Sequence, residues 1–269
     1  RGALMQNDPS STNLDPYGPK EIARRVENVG VAKAELAFLP TMMLAILAGA
    51  FIALGAAFYT LVITNSGLGF GPARLLGGMA FSLGLILVVV GGAELFTGNN
   101  LIVMAWADGK VTHSGLLRNW GIVYVGNFIG AMGTAVLVSL SGILGLGDGG
   151  VAMTAIGIAE SKLALPPSEA FVRGILCNVL VCLAVWLCFA ARTVVGKVVA
   201  IIFPVSAFVA LSFEHSIANM YLIPIAALAG ADTITLMGFL TNLIAVTIGN
   251  IIGGSALVAM VYWVIYLRK

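Results

Sequence analysis

The sequence predicts an all-α integral membrane protein: six transmembrane helices in two inverted three-helix repeats, with spans two and five broken. Three observations carry this. Hydrophobic residues make up 59% of the chain and charged residues 10%, with a mean hydropathy of +1.02, whereas about a quarter of a soluble domain is charged. Apolar stretches of span length recur six times. A pattern of Glu, Asn and Gly occurs twice along the chain.

Residues 1–36 form a polar N-terminal segment containing Pro9, Pro16, Gly18 and Pro19, and 37–269 form the transmembrane domain. The segment has no apolar core of signal-peptide type. From Glu21 to Leu36 it reads as an amphipathic helix with Ile22, Val26, Val29 and Ala32 on one stripe, expected to lie along the membrane surface. Each following span approaches or exceeds the roughly 20 apolar residues that a bilayer core requires. The first runs from Phe38 to Thr64, and the second from Leu75 to Ala107, interrupted at Phe96-Thr97-Gly98-Asn99-Asn100. The third covers Trp120 to Leu144 and the fourth Ala170 to Ala191. The fifth covers Lys197 to Gly230, with its interruption within Phe213–Met220, and the sixth Leu236 to Tyr266. Spans two and five exceed one crossing and carry polar groups inside, so each is expected to comprise two half-helices around an irregular turn.

Lysines and arginines orient the chain. Eleven (Arg1, Lys20, Arg24, Arg25, Lys33, Lys110, Arg118, Arg192, Lys197, Arg268, Lys269) fall on one side and three (Arg74, Lys162, Arg173) on the other. Both termini are therefore expected on the cytoplasmic face of a cell membrane. Glu94 and Asn99 recur 120 residues later as Glu214 and Asn219, while Asn119, Gly126, Asn127 and Gly130 recur 123 residues later as Asn242, Gly249, Asn250 and Gly253. Three spans per copy is an odd number, so the second copy enters the membrane from the opposite side. In such folds the substrate site lies near the midplane, between the discontinuous helices.

Ionisable groups at membrane depth are costly and usually face a cavity or a substrate path. Phe213-Glu214-His215-Ser216-Ile217-Ala218-Asn219-Met220 is such a place. Its histidine reads as pore-lining, with a hydrogen-bonded structural histidine as the other reading. The Gly-x-x-x-Gly pairs read as close helix packing, Asn127 and Asn250 as cross-links, and His113, in a polar loop, as a solvated surface residue. Cys177, Cys182 and Cys188 share one span without a Cys-x-x-Cys and read as buried, inert thiols. No metal or other cofactor is implied. A net charge of +2 gives no reason to expect nucleic acid as a partner.

Leu95-Phe96-Thr97-Gly98-Asn99-Asn100, Arg118-Asn119-Trp120 with Gly126-Asn127, Leu176-Cys177-Asn178 running to Cys182-Leu183-Ala184-Val185-Trp186, and the octet from Phe213 to Met220 resemble the signature segments of the formate/nitrite transporter family. The likeness covers nearly the whole chain after residue 20. It implies an aquaporin-like protomer with its own pore, a homopentamer in a lipid bilayer, and passage of small monovalent anions, formate before nitrite or hydrosulfide, together with a proton. It further implies that the broken second span is an omega loop, including Gly98, Asn99 and Asn100. In that loop Leu95 and Phe96 form a cytoplasmic constriction with Val181, and Thr97 offers its hydroxyl to a central chamber. Phe81, Leu85 and Phe208 then correspond to the periplasmic constriction, His215 to the central histidine and Asn178 to a neighbouring amide. Lys162 corresponds to an anion-attracting residue of the outer vestibule, with Glu214 and Asn219 supporting the centre.

Such a pore has a physical logic. A bare anion entering an apolar slit loses hydration worth many kcal/mol. Imidazole changes charge near neutrality, so it can pair with the anion or protonate it. Residue content speaks against two other classes. A neutral-solute channel of the aquaporin kind carries paired Asn-Pro-Ala turns, and this chain has no Asn-Pro. An intramembrane enzyme would need chemistry such as His-Glu-x-x-His or Gly-x-Ser-x-Gly, and neither motif is present.

Overall fold

The computed structural model describes residues 15–268. The first fourteen residues of the N-terminal segment, Arg1 included, and Lys269 lie outside them. The described residues are helical, with no strand. Helix α1, Pro19–Glu35, starts at a proline, which fits the first helical position because its missing N–H would be unpaired there anyway. Span one is α2, Phe38–Ile63. Span two comprises α3, Phe70–Gly91, and, after a break, the short helices α4, Phe96–Asn99, and α5, Val103–Ala107, joined by a 3₁₀ turn. Span three is α6, His113–Leu140. Helix α7, Gly150–Leu163, lies between the halves and was not anticipated from the sequence. Span four is α8, Pro167–Ala190, and span five is α9, Val194–Ala210, plus α10, Ser216–Leu228. The last span is α11, Leu236–Ile251, a π-helical stretch over Ile252–Met260, and α12, Val261–Tyr266.

The two halves are built alike. Thr112 and Thr235, 123 residues apart, cap α6 and α11 by accepting from the N–H groups of Gly115 and Gly238, both at 3.1 Å. Helix α2 packs between α3 and α6, as α8 packs between α9 and α11, and α3 meets α9 across the halves. The glycine pairs set the closest approaches. A Cβ on Gly126 or Gly130 would strike Ala45 or the Ile46 carbonyl, and one on Gly249 or Gly253 would strike the carbonyls of Phe171 or Ile175.

Helix α1 is docked on the bundle through part of its apolar stripe. Ile22, Ala23 and Val26 are buried in a cluster with Leu101, Ile102, Ala105 and Trp186, so the helix caps one end of the bundle. The first interruption lies four residues upstream of its expected place, at Gly92–Leu95, because Phe96–Asn100 are opening turns of the second half-helix; the second, Leu211–His215, starts two residues before the octet and takes in its first three residues, Ser216–Met220 being helical.

Candidate functional site

The breaks are the site's foundation. At the first, Gly92 takes a left-handed conformation (φ 80°) that ends α3, and the chain runs on to an extended Leu95 before α4 begins. Extended backbone at membrane depth must find partners within the protein. Asn127 supplies them: its Nδ2 donates to the carbonyls of Ala45 (2.7 Å) and Glu94 (2.9 Å), and its Oδ1 accepts from Phe96 N–H at 2.9 Å. Asn250 does the same for the second break. It donates to Gly174 O (2.8 Å) and Glu214 O (2.9 Å) and accepts from Ser216 N–H at 2.9 Å. One amide side chain has the donors and acceptor to pair one carbonyl and one N–H at each break and to tie the break to a neighbouring helix, α2 or α8.

A charged network flanks each break. Glu94 accepts from Lys33 Nζ at 2.8 Å and from Asn99 Nδ2 at 2.6 Å. Asn99 Nδ2 also reaches Asn119 Oδ1 at 2.9 Å, and Asn119 donates to Lys33 O. Glu214 accepts from Lys162 Nζ at 2.8 Å and Asn219 Nδ2 at 2.7 Å. Asn219 Nδ2 reaches Asn242 Oδ1 at 2.8 Å, and Asn242 donates to Lys162 O. The repeats therefore include α1 and α7, whose lysines occupy equivalent places. Sequence reasoning missed Lys33. The signal was available, since Lys162 follows Lys33 by 129 residues, the same interval that separates Ala45 from Gly174.

His215 and Thr97 meet between the breaks. The His215 Nε2–Thr97 Oγ1 distance is 3.1 Å, and His215 Nδ1 accepts the N–H of Ala218 at 3.1 Å as the cap of α10. With Nδ1 committed as an acceptor, a neutral ring carries its hydrogen on Nε2 and donates to the threonine. Phe208 stacks on the imidazole at 5.9 Å, and Phe81 meets Phe208 edge-on at 5.7 Å. Glu214, next to His215 in sequence, is directed instead to Lys162 and Asn219.

Two cavities approach this point. One, about 330 Å³, is lined by Lys33, Lys197, Leu85, Glu94, Leu95 and Asn99, among others. The other, about 320 Å³, is lined by Lys162, Arg74, Phe81, Phe208, Glu214 and His215, among others. Leu95 and Gly98 face the Lys33 cavity, while Phe81 and Phe208 face the Lys162 cavity and His215. Leu85, expected beside Phe81, lines the opposite cavity.

Phe96 lines neither cavity. It is buried against Trp120 and Tyr124, at 6.0 and 4.9 Å between ring centroids, and Thr97 beside it also lies outside both linings. Val181 is buried in the same core cluster as Leu95 and Phe96 and also lines neither cavity. Asn178 stands behind Thr97. Its Nδ2 donates to Asn250 O at 2.7 Å and lies 3.2 Å from Thr97 O and Asn100 Oδ1. It positions the loop that carries the threonine, and Asn100 ties the same loop to Phe96 O at 2.9 Å. The π-helical stretch permits this contact, since a Cβ on Gly254 would lie 2.5 Å from Asn178 Nδ2. His113 is exposed, edge-on to Trp106.

The family model described as formate/nitrite transporter matches residues 20–264. The chain is similar to the formate channel FocA of Escherichia coli strain K12, with 44% identity over 270 residues covering 93% of this chain and 95% of that protein. It is also similar to the probable formate transporter of Methanothermobacter thermautotrophicus, with 36% identity covering 93% and 97%. Among solved structures it resembles a pentameric formate channel with formate bound, at a TM-score of 0.80 and 41% identity over 86% of this chain and 98% of that one. An FNT family ion channel aligns at a TM-score of 0.83 and 28% identity, covering 91% and 98%.

Proposed function

This chain belongs to the formate/nitrite transporter family, and from that premise we propose that it is a homopentameric formate channel whose anion passes between Thr97 and His215. It is a multi-pass membrane channel of this family and not an enzyme. The observation that carries the reading of the path is the meeting of these two polar side chains where two cavities converge on the breaks. A carboxylate arriving there can replace their mutual hydrogen bond and accept from both the Thr97 hydroxyl and His215 Nε2–H. The neighbouring phenylalanines and leucines exclude water, which strengthens those bonds. The lysine and arginine balance of the loops supports a cytoplasmic Lys33 cavity and a periplasmic Lys162 cavity, with both termini cytoplasmic.

Proton coupling belongs to the same reading and has a structural cost. A proton on His215 Nδ1 would face the Ala218 N–H, donor against donor, so a proton-carrying ring must give up its cap on α10. The anion's charge in the pathway offsets that loss. The test is uptake of formate, nitrite and hydrosulfide into proteoliposomes at two external pH values, with His215→Phe beside the parent. Formate is expected to move fastest, faster still at the lower pH, and the variant to lose that gain. Equal rates for the three anions would overturn the substrate assignment. Unchanged uptake and pH dependence in the variant would remove His215 from the mechanism.

A further inference from the structure

Resting on the reading of this protein as an anion channel, we propose that Arg74 and Lys197, one at each mouth, are uncompensated charges that draw the anion in. Lys162 is the obvious candidate from sequence, but its Nζ lies 2.8 Å from Glu214 Oε1 and its side chain is only 14% exposed. Lys33 is equally committed, 2.8 Å from Glu94 and 2.9 Å from Asn99 Oδ1. Each lysine therefore shares its charge with a carboxylate.

Arg74 and Lys197 differ from them in kind. Both are half-buried, and each lines one of the two cavities. Among the described residues neither has a carboxylate within 4.0 Å. Arg74 spends Nε on the Ala210 carbonyl at 3.1 Å, a bond that holds the side chain without neutralising it. The other cation on the Lys162 cavity, Arg173, has its own carboxylate in Glu169 at 3.2 Å.

The two residues also occupy matching places, each near the start of the first half-helix of a broken span, α3 for Arg74 and α9 for Lys197. The repeats are inverted, so these helix starts lie at opposite ends of the pathway. An uncompensated charge in a recess with apolar walls concentrates the field and raises the local concentration of the opposite ion. Mobile salt screens it over a Debye length of about 10 Å at 0.1 M. The role therefore predicts two signatures: a change in half-saturating concentration, and a loss of its dependence on ionic strength.

The experiment measures initial formate uptake in right-side-out and inside-out membrane vesicles across a range of ionic strengths. Arg74→Gln is expected to raise the half-saturating concentration about three- to tenfold and to flatten its salt dependence only when formate is presented from the Arg74 side. Lys197→Gln is expected to do the same only from the other side. Arg74→Lys separates charge from structure, because it keeps the charge and loses the Nε bond to Ala210. It should restore the half-saturating concentration and the salt dependence. Arg74→Lys behaving like Arg74→Gln, or an effect equal from both sides, would overturn the proposal. Parent-like half-saturation and salt dependence in both Gln variants would overturn it as well. A parent chain that moves no small monovalent anion would instead overturn the channel reading on which the proposal rests.

Discussion

Asn127 is a single amide that partners three buried backbone groups, and Asn250 repeats it on the other side of the molecule. Replacing either with leucine strands one N–H and one carbonyl of a break where no water competes for them, whereas Ala45 O and Gly174 O lie inside α2 and α8 and keep helical partners. Each stranded group costs about 1–3 kcal/mol in soluble proteins, and side-chain bonds inside membranes average nearer ~0.6 kcal/mol. Asn127→Leu and Asn250→Leu are therefore each expected to cost about 2 kcal/mol or more. The two should show similar falls in the thermal midpoint of the purified protein. Thr134→Val is the control, since its hydroxyl only returns to Gly130 O within the same helix at 2.8 Å. Asparagine variants no worse than Thr134→Val would mean that the breaks are held by packing alone. At this scale the sequence was read well wherever a residue type was out of place. An Asn, Glu or His among leucines advertises itself, and the offset of 120 residues tied Glu94 to Glu214. Lys33 was harder to find because a lysine in a polar, charged segment looks ordinary. Its distant partners Glu94, Asn99 and Asn119 make it part of the buried network.

Among the elements, α1 shows best what local pattern leaves open. Its apolar stripe was legible, but amphipathicity does not say whether lipid or protein covers the stripe, and here protein covers part of it. The first break lies four residues before its expected place, and the second starts two before, for a related reason. Polar composition marks where the chain is special, and the polar residues at the start of a half-helix partner the irregular stretch just before them. Helix α7, with 14 residues, is too short to announce itself as a span. Docking of α1 leads to a pH prediction. Glu27 is buried, with Oε2 on Lys110 Nζ at 2.6 Å and Oε1 unpartnered. Lys110 also meets Asp108 at 3.1 Å, and Trp263 Nε1 donates to Asp108 at 3.2 Å. Burial pushes the Glu27 carboxyl above its usual 4.5, against the opposing pull of Lys110, while Lys110 and Trp263 hold Asp108 below its own usual range. A raised carboxyl favours the folded state most when protonated, so its contribution grows as pH falls from neutral and is lost as pH rises through the folded value. Asp108 opposes this only below the ordinary carboxylate range, about 4. Amide exchange in α1, corrected for intrinsic rates, is expected to slow between pH 7 and about 5, and Glu27→Gln to abolish the trend. Faster exchange on acidification would show that the Lys110 pair, not burial, governs the helix.

At the scale of the whole molecule, the proposed pathway lies within a single chain. Both cavities, the two breaks and the Thr97–His215 contact are formed by one protomer, and each half contributes one break. Large apolar side chains such as Phe203 (74% exposed), Leu137 (68%) and Ile244 (60%) cover its outside, a surface suited to lipid and to neighbouring copies. In the proposed homopentamer the subunits then act in parallel, each with a complete path, and the assembly serves to seat them in the bilayer. Mixed pentamers separate this from a shared central pore. Parent and His215→Phe chains are combined in known ratios, reconstituted, and assayed for formate uptake at the lower pH, where the variant is expected to be deficient. Independent paths require uptake to fall in proportion to the variant fraction, leaving about half the excess over the all-variant rate in an equal mixture. A path needing all five histidines would leave only about 3% of that excess under random assembly. Linear decline assigns conduction to the inverted repeats of the single chain, whereas a steep decline would place it on the fivefold axis and make the converging cavities a structural feature of the protomer.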